Sequence, residues 1–289
     1  MKVSGITFVR NAVKFDYPIV EAIQSILPIC DEVIVLLGDS EDNTEALIRS
    51  IKDPKIKIIL SVWDDSLREG GKVLAVETNK ALDAVSPNSD WVFYLQGDEV
   101  LHEQYLEVVK NEMAAELQNT KVEGLLFKYL HFWGSYDYVA DSRKWYQYEI
   151  RVIRNNPKIR SYKDAQGFRK VDDTKLAVKL TPAYIYHYGW VRPPEKQIKK
   201  RLSSNRFWHN DDWIKENLQL EGEYDYSQID SVQRFKGSHP KVMEERVNTI
   251  NWEFNPKPPR LSQKERLSRF IERLTGYRIG AYKNYRLLK

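Results

Sequence analysis

The sequence predicts an α/β protein, with a mixed, mostly parallel sheet flanked by helices and a helical extension after it. Through the first 120 residues, short apolar runs alternate with helical patterns, the rhythm of strands joined by crossover helices. From Val122 the texture turns to short, aromatic, β-prone pieces with polar turns, which read as the mixed or antiparallel part of the same sheet. The Pro193-Pro194 pair then ends the strand pattern and opens helical segments rich in Trp, Lys and Arg.

The first strands are expected at 3–9, 33–37, 56–61 and 91–95. Between them Ile19, Val20, Ile23, Ile26 and Leu27 recur at helical spacing, as do Ala46, Leu47 and Ile51, and then Val73, Leu74, Ala81, Leu82 and Val85. A further helix is expected over 102–117 and later strands at 125–132, 149–154, 175–180 and 183–188. These elements define a domain over 1–190 and an extension over 191–289, with a break at Asn255-Pro256-Lys257-Pro258-Pro259.

The chain has 289 residues, 42% hydrophobic and 30% charged, enough to bury a core without disulfides or a structural metal. Its one cysteine, Cys30, lies in an apolar run and is expected as a buried thiol in a reducing compartment. No apolar stretch is long enough to span a membrane and no secretory signal opens the chain, so a cytoplasmic location is expected. A net charge of +4 gives no reason to expect a nucleic-acid partner.

In open α/β sheets ligands bind beyond the carboxyl ends of the strands. That rule selects Arg10-Asn11, the loop Gly38-Asp39-Ser40-Glu41-Asp42-Asn43-Thr44, Trp63-Asp64-Asp65 and Gln96-Gly97-Asp98-Glu99. Asp98 and Glu99 follow the apolar strand Trp91-Val92-Phe93-Tyr94-Leu95, at the floor of such a crevice. Mg2+ and Mn2+ are commonly bridged by one or two carboxylates to substrate phosphates. The competing reading is that Asp98 caps the helix expected near His102.

Read together, the segments Phe8-Val9-Arg10-Asn11, Asp39-Ser40-Glu41-Asp42-Asn43-Thr44, Thr78-Asn79-Lys80-Ala81-Leu82, Leu95-Gln96-Gly97-Asp98-Glu99 and Tyr184-Ile185-Tyr186-His187-Tyr188 carry a resemblance. In order and spacing, over roughly residues 3–190, the chain resembles the family 2 glycosyltransferases with the GT-A fold, of the bacterial cell-envelope glycan type. The resemblance implies a nucleotide-binding half over 1–120 and an acceptor half over 121–190. It implies that Arg10, Asn11, Asp39, Asn79 and Gln96 surround the nucleotide, and that Asp98 and His187 hold Mn2+ or Mg2+ on the diphosphate. For His187 the alternative is a packed, hydrogen-bonded side chain between tyrosines.

Two departures from the family pattern bear on mechanism. Gln96 replaces the first acid of the Asp-x-Asp motif, and Leu37-Gly38 stands where an acid usually meets the nucleobase. An inverting transferase also needs a base for the acceptor hydroxyl. Asp164 falls where related enzymes carry such an acid, with Asp141 as second candidate. Arg68, Lys72, Arg143 and Arg151 are candidate diphosphate contacts. Trp133, Tyr136, Tyr138 and Trp145 either stack on an acceptor sugar or belong to the core.

From Arg260 to Lys289 there are nine Lys or Arg against two Glu. Leu261, Leu267, Phe270, Ile271 and Leu274 recur at helical spacing, so a basic amphipathic helix is expected, either packed on the core or in peripheral contact with a membrane. The expected activity is metal-dependent transfer of a sugar from a nucleoside-diphosphate sugar to a glycan or lipid-linked acceptor. The alternatives are a catalytically degenerate sugar-nucleotide-binding subunit and a nucleotidyltransferase. Arg10-Asn11-Ala12-Val13 lacks the Gly-rich basic loop expected of the latter.

Overall fold

The computed structural model describes residues 1–275, 278 and 280–288. The chain runs through β1 (Val3–Val9), α1 (Ile19–Ile26), β2 (Glu32–Gly38), α2 (Thr44–Arg49), β3 (Ile56–Ser61), α3 (Lys72–Asp83) and β4 (Trp91–Tyr94). These four strands are parallel, in the order β4-β1-β2-β3. Every residue of β1, β2 and β4 is buried, which explains their unbroken apolar runs: helices cover both faces. Alternate residues serve opposite faces, as the period of two requires. Val33, Val35 and Leu37 pack with Ile19 and Ile23 of α1, whereas Ile34 and Leu36 pack with Val73 and Ala81 of α3. Cys30 is buried in the first of these clusters, where burial pushes its thiol up and leaves it inert.

The chain continues through β5 (Glu99–Leu101), α4 (Leu106–Ala115), β6 (Gly124–Trp133), β7 (Tyr138–Ala140) and β8 (Tyr148–Arg154), then the two-stranded pair β9 (Ile159–Tyr162) and β10 (Gly167–Lys170), and β11 (Leu176–Trp190). β8 lies between β4 and β6 and is antiparallel to both, while β11 runs parallel to β6. The helix expected from His102 begins at Leu106. His102 accepts the Gln104 N–H and caps a short 3-10 turn before it, so Asp98 is not the cap. The strands expected at 175–180 and 183–188 are a single fifteen-residue β11. Pro182 has no N–H to give the ladder and falls where the register shifts between Leu180 and Tyr184, hence the apparent break.

After β11 come α5 (Pro194–Asn205), α6 (Asp211–Asn217), β12 (Val232–Arg234), α7 (Glu244–Asn248), α8 (Gln263–Thr275) and β13 (Tyr285–Leu287). The segment is mainly helical but returns to the sheet twice, β12 pairing with β7 and β13 with β11. Among the described residues the main sheet then has eleven strands. No described helix is long and apolar enough to cross a membrane.

One buried ion pair knits the two halves of this sheet. Arg151 of β8 donates Nε to Glu99 Oε2 at 2.8 Å and Nη2 to Glu99 Oε1 at 2.7 Å. Tyr129 of β6 donates its hydroxyl to Glu99 Oε1, and the Gln96 N–H reaches Oε2. Glu99 therefore spends its lone pairs on four donors and is a structural acid. Burial works against the Arg151 charge, and Glu99 with Tyr129 outweighs it. Arg151→Met leaves Glu99 buried without its counter-charge, and denaturant unfolding is expected to show a loss of about 3–5 kcal/mol. The double variant Glu99→Leu, Arg151→Met is expected to lose less than that single change, and equal losses would refute the pairing energy.

Candidate functional site

The strand ends selected by sequence open into one cleft of about 780 Å3. Arg10, Asn11, Gln96 and Asp98 enter it from the first half of the chain, Asp164 and His187 from the second. At its floor the pairing of β5 with β11 sets His187 opposite Glu99, and the Tyr188 N–H donates to the Asp98 carbonyl at 2.8 Å. His187 Nε2 thereby lies 3.8 Å from Asp98 Oδ1.

The imidazole hydrogens can be assigned from their partners. The Tyr146 carbonyl only accepts, so His131 Nε2, 2.8 Å away, carries its hydrogen. Burial pushes both His131 and His187 down, so both are neutral near pH 7. His131 Nδ1 then accepts from His187 Nδ1 at 3.0 Å, and the lone pair of His187 Nε2 is left toward Asp98. A carboxylate oxygen and a bare imidazole nitrogen thus converge. Gly189 keeps the space beside them open: a Cβ there would stand 2.5 Å from His187 Nε2 and 2.9 Å from Asp98 Oδ2.

These donors fit a divalent cation of a particular kind. No group of three His, Cys, Asp or Glu that could hold a metal exists among the described residues. Two protein ligands are, however, what a cation shared with substrate phosphates requires. Gln96, in place of a second acid, turns its amide toward the Ala165 carbonyl.

Cationic side chains surround Asp98. Lys200 of α5 places Nζ 3.8 Å from Asp98 Oδ2 and donates to the Gly189 carbonyl at 3.1 Å. Burial, then Arg192, pushes its ammonium down to about 8 against the pull of Asp98. Arg192 is fully buried and ties the loop after β1 to the end of β11 through the Phe15 and Gly189 carbonyls. Burial opposes the Asp98 charge, and His187 (protonated at the acid pH where Asp98 titrates), Lys200 and Arg192 outweigh it, so its carboxyl stays below its ordinary range.

At one end of the cleft Asn11, at φ 57, accepts the Glu41 N–H on its side-chain oxygen and donates its own N–H to Ser40. Arg10 is held by Asp39 and Asp65. Trp63 packs against Phe8 and Phe207, and Gly38 makes its position possible: a Cβ there would lie 2.5 Å from the indole nitrogen. Gly38 is therefore a packing requirement of Trp63.

Asp164 lies in the β9–β10 turn between Lys163 at φ 53 and Ala165 at φ 60, a sparsely populated backbone that persists where the surroundings impose it. Those surroundings include Gly71 at φ 66, where a Cβ would stand 2.5 Å from the Asp164 Cβ. Burial pushes the Asp164 carboxyl up, as suits a base.

The other expected site residues have protein partners of their own. Asp39 is not among the cleft-lining residues and pairs with Arg10 outside it. Asn79 accepts the Ser161 N–H and fastens α3 to β9. Asp141 pairs with Arg269 at 3.0 Å. Trp133 stacks on Trp190 and donates its indole N–H to the Tyr226 carbonyl, and Tyr136 is buried against Tyr188 and His239. Trp145 is half-buried against His131 and Trp133. Tyr138 packs on Phe254. Of the candidate cations, Arg68 and Arg151 line the cleft, paired with Asp211 and Glu99, while Arg143 bonds Glu272 and exposed Lys72 lies near Glu69. Sequence reading missed His131, Trp190 and Lys200, none of which stands in a recognisable motif.

No family model matches the chain, and no curated protein matches it. Among solved structures it is similar to TarS from S. aureus, at 16% identity over 76% of this chain and 41% of that one, with a TM-score of 0.39. It is also similar to glucosyl-3-phosphoglycerate synthase from Mycobacterium tuberculosis in complex with Mn2+, UDP and phosphoglyceric acid. That match has 24% identity over 44% of this chain and 42% of that one, with a TM-score of 0.29. A third is 4-diphosphocytidyl-2C-methyl-D-erythritol synthase from Anaerococcus prevotii, at 14% identity over 53% of this chain and 71% of that one, with a TM-score of 0.33. Likenesses this distant carry no inference about activity.

Glu149 of β8 lies close enough to Asp164 and Glu99 to feel both charges. Burial, against the pull of Arg151 and with the help of those acids, pushes its carboxyl up to about 8. Folded Glu149 thus keeps its proton after the unfolded chain has lost its own, so stability present below the ordinary Glu range declines as pH rises toward 8. Thermal unfolding between about pH 5 and about pH 8 is expected to show this decline in the wild type and a flatter profile in Glu149→Gln. The same slope in both proteins would exclude Glu149 as its source.

Proposed function

We propose that the chain is a metal-dependent glycosyltransferase that moves a hexose from a nucleoside-diphosphate sugar to a hydroxyl of a glycan or lipid-linked acceptor, with inversion. The observation that carries this reading is the convergence of Asp98 and His187, distant in sequence, in a cleft that also holds Asn11 and Asp164.

In this reading Asp98 Oδ1 and His187 Nε2 hold Mn2+ or Mg2+, the mixed oxygen and nitrogen set favouring Mn2+. When bound, the cation supplies positive charge to the diphosphate leaving group. Arg10, Asn11 and Gln96 orient the nucleoside end against the Trp63 wall. Lys200, already beside Asp98, adds a fixed positive charge for the departing diphosphate. Asp164 takes the proton of the acceptor hydroxyl as its oxygen attacks the anomeric carbon from the face opposite the leaving group. Trp190, on the cleft wall, offers an aromatic face to the acceptor.

Thermal-shift screening of nucleoside diphosphates with and without Mn2+ tests the site. One nucleotide is expected to stabilise the wild type in a Mn2+-dependent way, and Asp98→Ala and Gly189→Ala to lose that increment. No Mn2+-dependent nucleotide effect would overturn the reading. With a donor sugar, the expected product is a nucleoside diphosphate, whereas release of a sugar 1-phosphate would signal nucleotidyl transfer and no turnover a binding subunit. Asp164→Asn is expected to keep the Mn2+-nucleotide increment and lose about 10²–10⁴-fold in kcat. Because Asp164 is raised, the wild-type rate is expected to fall with decreasing pH before the ordinary Asp range of about 4 is reached.

A further inference from the structure

The 260–289 segment, with Gly276, Tyr277, Ile279 and Lys289 outside the described residues, presents a surface unrelated to the chemistry of the cleft. α8 is fastened to the body along one side. Arg269 bonds the Asp141 carboxylate and carbonyl, and Glu272 receives Arg143 and Gln147. Steps of 100° per residue place Leu267, Phe270 and Leu274 in one stripe on the opposite side of the helix. Their exposures are 61%, 59% and 70%, among the highest of the large apolar side chains. Exposed Lys264 and Arg266 flank the stripe, in a segment whose excess over acids is seven positive charges, nine minus two.

We propose that this face of α8 docks on an anionic lipid surface, with Leu267, Phe270 and Leu274 in the headgroup boundary and Lys264 and Arg266 on lipid phosphates. An apolar stripe between basic flanks is the pattern of helices that lie in the membrane interface. A second copy is the poorer occupant. Self-pairing would bring like charges together, and three side chains fall well short of the about 800 Å2 per partner of a stable interface. The helix also grips the 141–147 loop, whose Tyr146 lines the cleft and holds His131. Docking here would set the Tyr146 side of the cleft beside the lipid surface, where a lipid-linked acceptor would present its hydroxyl.

The test uses the full chain and co-sedimentation with vesicles, either phosphatidylcholine alone or equal parts phosphatidylcholine and phosphatidylglycerol. The wild type is expected to pellet with the anionic vesicles and stay largely in solution with the neutral ones. The triple variant Leu267→Ser, Phe270→Ser, Leu274→Ser is expected to partition about tenfold or more weakly. A second variant, Lys264→Glu with Arg266→Glu, is expected to lose the preference for anionic lipid and guards against a folding defect in the first, which circular dichroism would reveal. A wild type that stays in solution with anionic vesicles would overturn the proposal. So would well-folded variants that pellet as the wild type does, or a wild-type dimer in solution that the triple Ser change dissociates. None of these readouts uses nucleotide or metal, so the proposal and the assignment of the cleft fail separately.

Discussion

The molecule is organised around the buried pairing of Glu99 with Arg151. Two ionised groups removed from water persist only when each is fully partnered, and here the carboxylate accepts from Arg151 twice, from Tyr129 and from the Gln96 backbone. The pair fixes β5 against β6 and β8, and β5 in turn sets the register of β11. A slip of one residue would turn His187 to the other face of the strand and away from Asp98. Adjacent acids therefore do different work: Glu99 holds the sheet, and Asp98 faces the cleft.

Around Asp98 the protein balances one negative charge with several positive ones. Lys200 and Arg192 come from beyond the strand pattern, so the long C-terminal segment completes the cleft as well as covering it. The His131–His187 contact adds direction: a carbonyl at one end of the chain of hydrogen bonds decides which nitrogen is bare at the other. The strained turn at Asp164 and the close approach at Gly71 show the same economy on the opposite wall, where one missing Cβ admits the acid.

Much of the fold was legible because it rests on local pattern. β1 and β3 have the bounds that hydrophobic runs indicate, and α1 and α3 turn toward the core the residues that recur at helical spacing, burying Ile19, Ile23, Ile26, Val73 and Ala81 and half-burying Val20, Leu74 and Leu82. Legibility failed where a local cue had a tertiary answer. Pro182 signalled a break in what is one strand, and the helix expected at His102 starts a turn later because His102 caps a 3-10 turn. In the site, Asp98, His187, Asn11, Gln96 and Asp164 reach the cleft. Asn79, Asp141 and Tyr136 are held by partners that no spacing could disclose.

The sequence by itself determined the first four strands and the helices between them, because burial on one or two faces writes a period into the chain. It also determined which strand ends carry acids and amides. The tertiary structure alone decided which acid is structural and which faces the cleft, that Lys200 and His131 belong with Asp98 and His187, and that α8 turns its apolar stripe outward. Those outcomes depend on charges, hydrogen bonds and the absence of a Cβ between residues far apart in the chain, contacts to which no local pattern is sensitive.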